Sequence, residues 1–79
     1  MKTLSYINIK AVVALGSEIA ELIATAYASE SEKDKLASTE SILKSTDLTP
    51  EAKIKFIGDV LTRPKIKRLA ISKKILAEL

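Results

Sequence analysis

LSYINIKAVVALGSEIAELIATAYA, residues 4–28, is apolar on nearly every side when wound into a helix. Stepping round at about 100° per residue puts Leu4, Ile7, Ala11, Val12, Leu15, Ile19, Leu22, Ile23 and Ala26 on one broad face. A second face carries Tyr6, Ile9, Val13, Gly16, Ala20, Ala24 and Tyr27. Only a narrow strip is left for Lys10, Ser17, Glu18, Glu21 and Thr25. A surface helix needs one apolar stripe, and a helix with two is surrounded by partners. One long helix over 3–28 is therefore expected at the centre of the fold. Gly16 costs about 1 kcal/mol relative to Ala inside a helix. It falls in line with Ala20 and Ala24 at four-residue spacing, a row that admits a second backbone closely.

Working outward, residues 28–35 change abruptly to ASESEKDK. Ser29 with Glu32 fits the Ser-x-x-Glu pattern that closes a helix start, and Ser31 with Asp34 nearly repeats it. A second helix is expected over 31–45, with Leu36, Ile42 and Leu43 as its buried residues. Thr49-Pro50-Glu51 is the clearest punctuation in the chain. Thr suits the N-cap, Pro the first helical position, and Glu the positive end of the helix dipole. A third helix follows over 50–62, with Ile54, Ile57, Val60 and Leu61 on one face and Phe56 at its edge. Its other face is expected to carry Glu51, Lys55 and Asp59. Pro64 disfavours helical geometry at Arg63, so the third helix ends or kinks there, and the last, separate or as the continuation of one kinked helix, runs from about 64 to 79. One of its stripes carries Ile66, Leu69, Ala70, Leu76 and Ala77, and the other Ile71, Ile75 and Leu79. The expected architecture is all-α: one domain, 1–79, a compact bundle of three to four helices around the long N-terminal one.

Seventy-nine residues make a small core, and cores of this size usually supply no more than about 3–5 kcal/mol without a staple. The chain has no Cys for a disulfide or thiolate site and no His, the commonest metal ligand and general base. Self-association is the remaining staple. The expected oligomer interface is the second face of the first helix (Tyr6, Ile9, Val13, Gly16, Ala20, Ala24, Tyr27) with Ile71 and Ile75 of the last.

Catalysis finds little material. Ser72-Lys73-Lys74 is only a sequence neighbourhood, whereas a Ser–Lys pair has to be built in space. Glu18 and Glu21 lack the Glu-x-x-His partners of di-metal bundles and read as a solvent edge. Gly16 and Gly58 lie too far apart for a phosphate loop. No enzyme activity, metal or cofactor is expected.

Charge is uneven. Residues 1–29 balance, residues 30–49 hold three basic and five acidic groups, and residues 50–79 hold eight basic and three acidic ones. Arg63, Lys67 and Lys74 share one side of the last helix, a candidate surface for an anionic partner. The third and fourth helices can be read as a helix-turn-helix with the last in the major groove. That helix has no Asn or Gln to read bases, so DNA or RNA binding is the second reading. A peripheral membrane role is the third, weakened by the lack of a Trp or Phe anchor in the last helix. Glu18 and Glu21 interrupt what would otherwise pass for a leader or a span, which favours a cytoplasmic protein. In size and class the chain resembles bacteriocin immunity proteins and small phage or plasmid regulators, a likeness that carries over no residue. The leading expectation is a non-enzymatic interaction or regulatory protein that self-associates and binds a further protein.

Overall fold

The structure is a computed structural model that describes residues 7–79. Among these residues the chain forms five helices and no strand: α1 (Ile9–Ala14), α2 (Ser17–Tyr27), α3 (Glu32–Lys44), α4 (Pro50–Thr62) and α5 (Lys65–Glu78). Asn8 caps α1, its side chain accepting from the Ala11 amide; Ser31 does the same for α3 at Asp34, and Thr49 for α4 at Ala52. Each satisfies an amide that the first helical turn leaves without a partner. Arg63 and Pro64 take extended backbone geometry, so α4 and α5 are separate helices.

The long first helix is not continuous. It breaks at Gly16, whose φ of 114° and ψ of 153° belong to a region essentially open to glycine alone. The expected three- to four-helix bundle therefore has five helices, and Gly16 is the joint between two of them. An added Cβ at Gly16 would meet nothing within 4 Å. Its missing side chain serves the backbone, not a close neighbour. Residues 3–6 of the expected helix, including Tyr6 of the expected interface, lie outside the described residues.

α2 is the centre of the fold, packing against each of the other four helices and most extensively against α5; α1 also packs on α5, and α3 on α4. The core joins Val12, Ala20, Ile23, Ala24, Ala26, Tyr27, Ile42, Leu48, Phe56, Val60 and Ile75. The radius of gyration is 11.5 Å, close to the ~11–12 Å expected of a compact chain this long.

Two helices bury only part of the face expected: Val60 and Ile57 of α4 and Ile42 of α3 are inward, the rest of each stripe is not. On α4, Phe56 and Val60 are buried, while Ile54 and Leu61 are 74% and 47% exposed. The α4 sequence has apolar residues on two sides, so its period fits either orientation. Tyr27 selects the inner side: its ring meets Phe56 edge-on, with centroids 6.5 Å apart, and its hydroxyl donates to Asp59. On α3, Ile42 and Thr39 are buried, while Leu36 and Leu43 are 66% and 58% exposed.

Candidate interaction surface

The helix faces left outside are fixed by a polar knot inside. The Tyr27 hydroxyl donates to Asp59 Oδ2 at 2.7 Å, and Arg63 Nε lies 3.1 Å from Asp59 Oδ1. Arg68, from the first turns of α5, is almost wholly buried. Its Nε donates to the Arg63 carbonyl at 3.1 Å, and its Nη1 to the carbonyls of Tyr27 and Ser29. These last two sit at the C-terminal end of α2, where helix carbonyls lack intrahelical partners and the dipole favours a cation. One turn further on, Ser72 Oγ donates to the Ala24 carbonyl at 2.8 Å. Together these contacts lock α4 and α5 onto α2.

Burial raises the Tyr27 phenol above its ordinary value of 10, and its bond to Asp59 and that carboxylate's charge push the same way. The folded state therefore resists forming the phenolate. Its stability contribution is intact below pH 10 and falls as pH rises above it, by up to about 1.4 kcal/mol per pH unit. Thermal melts of the wild type are expected to drop more steeply above pH 10 than those of Tyr27→Phe. Parallel alkaline profiles would show that the phenol ionises freely in the fold.

The residues expected to face a second copy divide. Ala20, Ala24, Tyr27 and Ile75 are fully or almost fully buried within the single chain, and Ile9 and Ile71 pack against the same core. Val13 is half-buried and Gly16 is exposed. The small-residue row does admit a close helix at Ala24, but that helix is α5 of the same chain, through Ser72. Ala20, Ala24, Tyr27 and Ile75 are thus covered within the chain itself, with α5 lying on α2.

The basic residues divide as well. Lys67 and Lys74 are exposed. Arg63 is half-buried and ion-paired with Asp59, so it is tied into the fold. Arg68 and Asp59, which hold α5 in place, were not singled out by spacing. The available signal was chemical: only two of the thirteen basic residues are Arg, and a guanidinium is the cation suited to several fixed acceptors at once.

What faces outward is largely apolar. Ile66 is 79% exposed at the start of α5, Leu76 and Leu79 about half exposed at its end. On α4, Ile54, Ile57, Gly58 and Leu61 follow one another at i, i+3, i+4 and i+7 along one side; Ile54 and Leu61 are open to water, while Ile57 is half-buried and also packs against the core. An apolar groove of about 270 Å³ also opens between α1, the 47–49 turn and α4, walled by Ile7, Ala11, Val12, Leu15, Leu48, Ala52 and Phe56. It falls just below the ~300–1,000 Å³ of typical small-molecule sites. Its rim residues Asn8 and Thr49 are already committed as helix caps. Asp47 and Lys55 complete its rim.

Among the described residues, no three acidic side chains gather where they could hold a metal ion, and no helix is long and apolar enough to cross a membrane. No model of a known protein family matches the chain, nor does a curated protein or a solved structure.

Proposed function

We propose that this chain is a non-enzymatic interaction or regulatory protein, which binds a second copy of itself and a further protein through apolar helix faces. The observation that carries this reading is the exposure of Ile54 and Leu61, 74% and 47% open to water at seven-residue spacing on one face of α4, while Arg68 and Ser72 are buried. Single exposed apolar residues are ordinary, whereas apolar side chains repeated along one helix face mark surfaces that other proteins cover. Glu18 and Glu21, which interrupt the apolar N-terminal run, favour a place in the cytoplasm. Sedimentation equilibrium over a range of micromolar concentrations tests the self-association. A mass that rises with concentration is expected, and a monomer throughout would overturn it.

Nucleic-acid binding is the alternative, favoured by four exposed lysines on α5: Lys65, Lys67, Lys73 and Lys74. Four phosphate contacts would give a log–log salt slope of about −3.6 on a duplex. These lysines spread round the helix, and Lys65 holds Glu30 at 2.9 Å. Weak duplex binding at physiological salt is therefore expected, and Lys67→Gln with Lys74→Gln should change it little. Tight binding with the steep slope, lost in the double variant, would favour the alternative.

A further inference from the structure

We propose that the outer side of α4 is a self-complementary seam, on which two copies of the chain pair antiparallel about a two-fold axis between Ile57 and Gly58. The inference rests on the self-association reading above and adds to it the surface and the orientation.

Two independent observations carry it. The first is Gly58. It sits in the middle of a 13-residue helix, where glycine is less favourable than alanine, and its φ is not in the positive range. A Cβ there would meet nothing within 4 Å. Neither backbone geometry nor a neighbour within the chain requires the missing side chain. A surface from outside does make use of it, because a glycine lets a partner's side chain approach the helix backbone. Thr62 Oγ1 donates to the Gly58 carbonyl at 2.7 Å, so that hydroxyl is satisfied within the helix.

The second is how the stripe reads when reversed. Antiparallel pairing about that axis places Ile54 opposite Leu61 of the other copy, and Ile57 opposite its Gly58. Large meets large at the ends, and large meets small at the centre. Antiparallel pairing also sets the N-terminal end of α4, with Glu51 in its first turn, beside the other copy's C-terminal end, beyond which the chain turns at Arg63–Pro64 into α5 at Lys65. Charge complementarity thus favours a second copy over an unrelated helix, since one reversal matches the apolar and the charged residues together. Lys65 already holds Glu30, but both groups are exposed, and an exposed pair is readily exchanged. A seam one short helix long is small beside the ~800 Å² per partner of a standard interface, so the dimer is weak and its population depends on concentration.

The test is sedimentation equilibrium on the wild type and three sets of variants, each checked for an unchanged helical melt. Ile54→Glu with Leu61→Glu should raise the dimer dissociation constant by at least about 100-fold, since the two-fold axis counts each lost anchor twice. Gly58→Leu should fold normally, because the space around it is open, and should weaken the dimer by filling the pocket for Ile57. Glu51→Lys should weaken it by opposing like charges, and adding Lys65→Glu should restore it. A wild-type dimer that these variants leave unchanged would overturn the seam while self-association stands. A wild type that stays monomeric would overturn both. Loss of the dimer in the apolar variants without rescue by the charge reversal would overturn the antiparallel arrangement.

Discussion

Arg68→Ala is expected to lower the stability of the fold by about 3–5 kcal/mol, a large share of the whole. A domain of this size has only about 4–12 kcal/mol in all. The guanidinium donates to three carbonyls, of Arg63, Tyr27 and Ser29, in a place where water does not reach. Each acceptor left without a donor costs about 1–3 kcal/mol, and removing the side chain leaves a cavity beside α2. Lys in its place keeps the charge but offers one nitrogen where Arg offers a rigid fork, so Arg68→Lys should recover only part of the loss. Urea denaturation followed by circular dichroism measures both. An alanine variant with the wild-type midpoint would show that the buried charge contributes nothing.

Gly16→Ala should also destabilise, by about 1–3 kcal/mol, because alanine strains at the φ and ψ found here. The sign matters more than the size. If Gly16 lay inside one continuous helix, alanine would stabilise the protein by about 1 kcal/mol. The open space around the position removes steric clash as a third explanation, which leaves backbone geometry alone to set the outcome. The same denaturation experiment reads it, and a higher midpoint in the variant would refute the break between α1 and α2.

Local chemistry was legible in the sequence wherever it is local in the structure. Thr49-Pro50 places the start of α4, Ser31 caps α3, and Pro64 marks a break or a kink after α4, because each acts on amides or dihedrals within a few residues; that it is a break shows only in the extended Arg63 and Pro64. The Gly16 joint was hidden by the flanking residues, whose apolar spacing continues through it as though the helix did. The inner side of α4 was hidden for another reason. Ile54 with Leu61 and Phe56 with Val60 are both good stripes, and only Tyr27, 32 residues away from Asp59, decides between them. The candidate surface inherits that ambiguity, since Ile54 and Leu61, expected in the core with Ile57 and Val60, are left outside. Arg68 was obscured among neighbouring lysines, where formal charge is the same and only the shape of the cation differs.

The knot at the end of α2 also has a consequence in time. Arg68 and Ser72 reach carbonyls that lie 39 to 48 residues earlier in the chain, although that of Ala24 also accepts from the Ala28 amide within the last turn of α2. While a ribosome is still extending the chain towards Ser72, α2 can wind up but its α5-facing side stays bare. Docking of α5 is then a late, long-loop closure, the kind of step that slows folding. Until it happens the nascent protein carries the apolar surface around Ile23 and Ala24 uncovered, open to aggregation or to a chaperone. Slower elongation after Thr62 would lengthen that interval without altering a single native contact.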